Sequence, residues 1–182
     1  MRIIAGQFKG HRLVAFKAIH IRPTTDRVKE SLFNRLQGQI SGAKVLDLFS
    51  GTGSLGLEAL SRGAESVQFV DSNAKSIAVL RKNIELLKVE DSASINQQDV
   101  RQFLKTIQSS FDVIFIDPPF TKKMADSVME ALASSGAFHD ETRIAIESSH
   151  QEEIKDEYLP LVLLDQKEFG DKTLSLFQRK EG

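Results

Sequence analysis

The sequence predicts an α/β protein built on a mostly parallel sheet with helices on both faces. Three observations lead there. From Lys44 onward, short apolar runs alternate with longer amphipathic ones, the rhythm of strand–helix–strand units. A glycine-rich stretch, Ser50-Gly51-Thr52-Gly53-Ser54-Leu55-Gly56, follows the first apolar run and opens the next helix. Acids then recur where successive runs end, at Asp71, Asp99 and Asp117. In open parallel sheets that edge is where ligands bind.

The elements follow in order. Strands are predicted at 44–49, 66–71, 93–97, 111–116 and 143–147, and helices at 53–62, 73–88, 100–108 and 122–135. Leu161-Val162-Leu163-Leu164 and Thr173-Leu174-Ser175-Leu176-Phe177 come last, with Phe169-Gly170-Asp171 as a turn between them. This predicts an antiparallel hairpin closing the sheet. Upstream, Arg2-Ile3-Ile4 and Arg12-Leu13-Val14 flank Gly6-Gln7-Phe8-Lys9-Gly10, a small β-hairpin with a basic, glycine-rich tip. Arg22-Pro23-Thr24-Thr25-Asp26 announces a helix, with Thr24 or Thr25 as N-cap and Asp26 in the first turn. Val28, Leu32 and Leu36 give that helix one apolar face. We read residues 1–40 as a hairpin-and-helix extension and 41–182 as the ligand-binding domain, joined in one compact unit.

Composition excludes several chemistries. There are no cysteines, so thiolate metal sites, disulfides and cysteine nucleophiles are ruled out. His11, His20, His139 and His150 are scattered without metal-ligand spacing, so no metal is expected. No apolar run reaches membrane-spanning length and the N-terminus carries no apolar signal segment, which predicts a cytoplasmic protein with no membrane partner. A monomer is the default. Charge is uneven: residues 1–40 hold eight basic and two acidic residues, net +6, while 41–182 hold sixteen and twenty-three, net −7. A basic segment interleaved with Gly and aromatics points to a polyanion partner. Arg2, Lys9, Arg12, Arg22, Arg27 and Lys29 are the candidate phosphate contacts. Phe8 and His11 either stack on exposed bases or belong to the hairpin itself.

The glycine pattern alone fits a dinucleotide site. Asp47, four residues before Gly51, argues otherwise, because a carboxylate there would repel a docking pyrophosphate. S-adenosyl-L-methionine carries an ammonium and a sulfonium and no phosphate, so Asp47 suits its amino-acid end. Asp71 lies 18 residues after Gly53, near the offset of a ribose-binding carboxylate; its alternative role is to cap the helix starting near Asn73. Asp99 either accepts from an adenine amino group, caps helix 100–108, or does both. The candidate cofactor set is Asp47, Phe49, Gly51, Gly53, Asp71, Ser72, Asp99 and Val100.

Asp117-Pro118-Pro119-Phe120 follows the buried run Phe111–Ile116 and forms a rigid ledge. Two prolines fix φ and remove two backbone donors, leaving carbonyl acceptors facing outward. An acid, a carbonyl and a flat ring suit a planar group bearing an NH2, such as a nucleobase. Asp117, Pro118 and Phe120 are therefore the candidate catalytic residues.

Asp47 with Gly51-Thr52-Gly53, then Asp71, Asp99 and Asp117-Pro118-Pro119-Phe120, resembles the class I S-adenosylmethionine-dependent methyltransferases. The ledge is similar to their amino-group-methylating branch. Arg2-Ile3-Ile4-Ala5-Gly6-Gln7-Phe8-Lys9-Gly10 and Arg22-Pro23-Thr24-Thr25-Asp26-Arg27-Val28-Lys29-Glu30-Ser31-Leu32-Phe33-Asn34 are more specific. They resemble the RsmD family, bacterial 16S ribosomal RNA (guanine(966)-N(2))-methyltransferases. The resemblance implies a seven-stranded Rossmann-like sheet and methyl transfer to the exocyclic N2 of one guanine, with S-adenosyl-L-homocysteine as product. It also implies 16S rRNA within the small ribosomal subunit or its precursor as partner. The ledge itself does not separate guanine N2 from adenine N6 or cytosine N4, and a non-catalytic RNA-binding assembly factor would explain the basic segment alone.

Overall fold

The computed structural model describes residues 1–16 and 25–181. One eight-stranded sheet runs through it in the order β3-β2-β1-β4-β5-β8-β7-β6. The first five strands are parallel: β1 (Lys44–Leu48), β2 (Ser66–Val70), β3 (Ala93–Asn96), β4 (Phe111–Ile116) and β5 (Phe138–Ser149). β8 (Lys172–Arg179) returns antiparallel between β5 and β7 (Leu161–Phe169). The expected hairpin thus closes a Rossmann-like sheet. An added two-residue edge strand, β6 (Glu157–Tyr158), lies beyond the seven strands expected.

Helices cover both faces. α1 (Asp26–Arg35), α2 (Ser54–Ser61) and α3 (Ala74–Leu87) pack on one; α4 (Val100–Thr106) and α5 (Ala125–Ala133) pack on the other. The strands alternate their side chains between two hydrophobic clusters. Phe69, Val113, Phe115, Ala145 and Leu174 point to the first, with Ile3 and Leu13 from the N-terminal segment and Leu32, Phe33 and Leu36 from α1. Leu46, Leu48, Ile114, Ile116, Ile144 and Phe177 point to the second. Residues before position 40 therefore share a core with the sheet.

Several boundaries differ from the sequence expectation for local reasons. Thr25 is the N-cap of α1, its side chain accepting from Val28 N, while Thr24 lies outside the described residues. The helix expected from 122 starts at Ala125, because a 3-10 turn at Phe120–Lys122 follows the two prolines. β7 runs on to Phe169 through exposed polar residues whose pairing to β8 is set by the hairpin rather than by apolar alternation.

The N-terminal segment turns back as expected, with Ile3 N donating to His11 O at 3.0 Å and Leu13 N to Met1 O at 3.1 Å. Only Arg2 and Arg12 form a ladder bridge. The next amides go to α2 instead: Ile4 N and Ala5 N donate to the Glu58 carboxylate at 2.9 and 3.0 Å, and Phe8 N donates to Ser61 Oγ at 3.0 Å. Glu58 is fully buried, and the Lys29 ammonium lies 3.1 Å from its carboxylate. Lys29 Nζ also donates to Arg2 O at 2.8 Å. This buried pair fastens the hairpin, α1 and α2 together.

Candidate active site

The C-terminal ends of β1 to β4 meet at one rim. Leu48 is in register with Val70 on one side and Ile116 on the other, and Val70 with Asn96. Asp71 and Asp117 each lie one residue past these partners, so they emerge at the same level on either side of β1. Asp47 pairs with Phe115 and points to the same face. The glycine loop and the acidic ledge are therefore neighbours on adjacent strands.

Asp47 is 2% exposed, and its Oδ2 accepts from Gly56 N at 2.9 Å. This bond ties the first turn of α2 to β1. The close approach requires glycine: a Cβ on Gly56 would stand 2.3 Å from the Phe69 ring. Burial pushes the Asp47 carboxyl up to about 7, the Gly56 bond pulls it back in part, and the nearby Asp71 charge raises it further. Asp71 clamps the loop from the other side. Its Oδ2 accepts from Gly51 N at 2.8 Å and its Oδ1 from Asn73 N at 2.8 Å. The cap of α3 is Asn73 itself, accepting from Lys75 N and Ser76 N, so Asp71 is not consumed by capping. Asp99 does cap α4, accepting from Arg101 N and Gln102 N, both through Oδ1. Its Oδ2 has no hydrogen-bond partner among the described residues. Ser72 is exposed beside Asp71, and Val100 is buried at the start of α4.

The loop between β1 and α2 is held in an unusual backbone. Phe49 has φ 58°, a left-handed conformation that a bulky side chain rarely adopts. Such residues cost of order 1–3 kcal/mol and concentrate at ligand sites. Gly51 follows at φ 54°, with open space where a Cβ would sit. Ser50 Oγ is buried there without a hydrogen-bond partner among the described residues. A buried unsatisfied hydroxyl is rare in native proteins and marks a place where a ligand or water completes the set.

Across the rim, Pro118 is buried, Pro119 is exposed and Phe120 is half-buried. Lys122 N takes the Pro119 carbonyl at 3.1 Å, whereas the Pro118 carbonyl receives no backbone N–H among the described residues. Two residues that the sequence reading missed stand beside this ledge. Glu147, on β5, follows the Ile146 partner of Ile116 and so lies level with Asp117. Lys172, the first residue of β8, donates to Glu147 Oε1 and sits 4.7 Å from the Phe120 ring centroid. Both are about 95% buried. Their only sequence signal was an acid after an apolar run and a lysine after a turn; the antiparallel return of β8 brings them together.

The basic candidates divide. Arg2, Lys9, Arg12 and Arg27 are exposed, and Arg2 pairs with Asp26 at 2.9 Å. Arg22 lies outside the described residues. Lys29 requires a correction: it is 1% exposed and committed to Glu58 and to the Arg2 carbonyl, so it cannot reach a phosphate. Phe8 is half-buried and packs against the first core cluster, edge-on to His11.

The strand order, the glycine loop after β1 and the acidic Pro-Pro-aromatic ledge after β4 define a Rossmann-like methyltransferase fold. Comparison with known proteins narrows the class. The chain belongs to the family described as Conserved hypothetical protein 95, the RsmD family, whose profile matches residues 1–178. It is 39% identical over 151 residues to ribosomal RNA small subunit methyltransferase D of Haemophilus influenzae, covering 81% of this chain and 78% of that one. It is 34% identical over 180 residues to the protein of the same name from Escherichia coli K12, covering 99% and 90%. The solved structure of YhhF from Escherichia coli superposes with a TM-score of 0.88 at 33% identity, covering 100% of this chain and 99% of that one.

Proposed function

We propose that this protein transfers a methyl group from S-adenosyl-L-methionine to the exocyclic N2 of one guanine in small-subunit ribosomal RNA. The observation that carries the reading is the common rim, with the Asp47–Gly51 loop and the Asp117–Phe120 ledge on adjacent strands. Family membership and the small-subunit rRNA methyltransferases among its relatives support the RNA substrate.

The residues on the donor side fit the cofactor. Asp47 is a buried acid suited to a cation, Ser50 is a hydroxyl without a hydrogen-bond partner among the described residues, and Gly51 leaves open space beside them. Asp71 keeps lone pairs for ribose hydroxyls after its two backbone bonds, and Asp99 Oδ2 suits an adenine amino group. Phe49, Gly53, Ser72 and Val100 complete the wall. The bound cofactor supplies an electrophilic methyl carbon on a sulfonium.

The acceptor side makes a poor nucleophile competent. The lone pair of an exocyclic amine is delocalised into its ring. Asp117 and the Pro118 carbonyl accept the two amine N–H groups, which turns the lone pair toward the donor side. Asp117 also offsets the positive charge that develops on nitrogen. Phe120 stacks on the base, a contact of about 1–3 kcal/mol. Alignment of the two reactants supplies much of the acceleration. The guanine must leave its RNA stack to reach the ledge.

The test has two arms. Nucleotide-level mass mapping of 16S rRNA from cells lacking this protein should show one guanine without its N2 methyl, and the purified protein should restore it. Asp117→Ala should reduce methyl transfer by at least about 10²-fold, the order expected for loss of one pre-organised charge-stabilising group. Its affinity for S-adenosyl-L-methionine, read by calorimetry, should stay within about twofold. A missing methyl on an adenine or cytosine would overturn the guanine assignment, and parallel loss of cofactor binding would remove Asp117 from the acceptor side.

A further inference from the structure

The Phe120 ring is half-buried, and one of its two faces is already taken. The Lys172 ammonium stands over it, 4.7 Å from the ring centroid. Lys172 is 5% exposed, so the face it covers is turned toward the interior, and the exposure that Phe120 keeps belongs to the rest of the ring. The ammonium is held there by Glu147, itself buried, which accepts its hydrogen bond and is the one acceptor that Lys172 Nζ meets among the described residues. The three residues come from separate places in the chain. Glu147 lies near the rim end of β5, Lys172 opens β8 after the turn at Phe169-Gly170-Asp171, and Phe120 opens the 3-10 turn that follows the two prolines.

Stability alone does not explain the pair. Two charges buried together gain little over apolar side chains of similar volume, because both lose water. What the pair does supply is a cation at a fixed place. An aromatic ring carries negative charge on its faces, and a desolvated ammonium over one face holds it more strongly than an exposed one. Phe120 needs such a hold. It lies in a three-residue turn, Phe120–Lys122, that ends at Lys123 with φ 45°. Among the described residues the ring belongs to neither hydrophobic cluster and meets no other aromatic ring.

We propose that Lys172 and Glu147 are positioning residues for the acceptor base: the pair backs the Phe120 ring from the interior and leaves the opposite face for the base to stack on. The proposal rests on the reading that stacks the base on Phe120. Glu147 is fixed by its strand, Lys172 by Glu147 and the ring by Lys172, so the tilt of the base relative to Asp117 is set before RNA arrives. Asp117 follows Ile116 as Glu147 follows its partner Ile146, so the anchor of the ring and the acid that takes the amine stand level on neighbouring strands. A base stacked on a ring free to tilt would bring its amine to Asp117 in many orientations, few of them productive.

The experiment is a double-mutant cycle on methyl transfer to small subunits from cells lacking this protein. One arm is Lys172→Met/Glu147→Gln, which removes both charges at similar volume; the other is Phe120→Leu, which removes the ring. With Phe120 present, the uncharged pair should lower kcat/KM by roughly 5- to 30-fold, the worth of a desolvated cation–π contact. In the Phe120→Leu background the same change should cost less than about twofold, because the pair acts through the ring. Equal losses in the two backgrounds would overturn the proposal. A higher kcat/KM for the uncharged pair would overturn it too, since the ammonium would then be standing in the seat of the base. Lys172→Arg keeps a cation over the ring and a donor for Glu147, and should stay within about threefold of wild type. An arginine variant as slow as the uncharged pair would count against the assignment. If the uncharged pair does not fold, Lys172→Gln, which still donates to Glu147 but places no charge over the ring, takes its place in the cycle with the same two expectations. Failure of the wild type to methylate small subunits would instead sink the functional reading beneath the proposal.

Discussion

Asp47 shows how one side chain serves the fold and the site with opposite preferences. In the folded protein its carboxyl titrates near 7, chiefly because burial disfavours its charge, whereas its ordinary value is 3.8. An acid whose folded value is raised binds a proton between those two limits that the unfolded chain has already released. Stability therefore falls as pH rises from about 4 to 7 and is flat above, with a slope of up to ~1.4 kcal/mol per pH unit. Asp47→Asn keeps an acceptor for Gly56 N and removes the buried charge. It should raise the urea midpoint at pH 8, by on the order of a few kcal/mol in stability, and leave it nearly unchanged at pH 4. The same variant should bind S-adenosyl-L-methionine at least about tenfold more weakly at pH 8, because the buried acid no longer meets a cation. Near pH 6, binding to the wild type should release most of one proton, seen by calorimetry in buffers of different ionisation enthalpy. A variant no more stable than wild type at pH 8 would show that Asp47 is not a buried charge in the free protein.

At the scale of elements, what the sequence made legible depended on local chemistry. The strands β1 to β5, the glycine loop, the caps at Thr25 and Asp99 and the closing hairpin each carry a periodic or turn signal within a dozen residues, whereas the cap of α3 falls to Asn73 rather than to the Asp71 that the sequence offered for it. Lys29, Glu58 and Asn83 carry none, and Glu147 and Lys172 only the weak signal of an acid after an apolar run and a lysine after a turn. A lysine one position from the apolar face of α1 looks like surface until α2 brings Glu58 to it. Asn83, fully buried on α3, likewise joins Val14 to the Thr52 carbonyl of the glycine loop, at 3.0 and 2.9 Å, across long sequence separations. These contacts decide how the N-terminal hairpin attaches, because Ile4, Ala5 and Phe8 spend their amides on α2 rather than on a ladder. Removing Lys29 leaves the Glu58 carboxylate with Arg62 Nε at 2.9 Å and the Ile4 and Ala5 amides, so the loss is that of one charge-assisted hydrogen bond, about 1.5–3 kcal/mol. Lys29→Met should therefore lower stability in urea by that order. The double variant Lys29→Met/Glu58→Gln should recover part of it, with limited proteolysis reporting whether residues 1–16 stay docked. A single variant as stable as wild type would show that the pair does not fasten the segment.

The whole molecule is electrically divided, and the division has a measurable consequence. The first forty residues carry +6 and the remainder −7, so the net charge of −1 conceals a dipolar surface. Arg2, Lys9, Arg12 and Arg27 are exposed, and Arg27 lines the groove that contains Lys172. The basic segment is fastened to the glycine-loop helix through Glu58, so it presents its charge at a fixed place relative to the rim. On the proposed function, RNA drawn to it would meet an acidic body elsewhere, which would discourage binding in other orientations. Each phosphate contact releases condensed counterions, and log affinity then falls with log salt by about 0.7–0.9 per contact. Lys9→Gln/Arg12→Gln should weaken binding to small subunits from cells lacking this protein and reduce that slope by roughly 1.5. Affinity for S-adenosyl-L-methionine should be unchanged, since both side chains are exposed and neither makes a hydrogen bond or ion pair to the loop after β1 among the described residues. Arg27→Gln, at another exposed position of the same basic segment, should lower affinity and the slope as well. Lys29, buried in its pair, should contribute nothing to the slope once a folded Lys29→Met/Glu58→Gln protein is measured. A salt dependence identical in all these proteins would mean that the basic segment docks by shape, with its charges turned away from the backbone of the RNA.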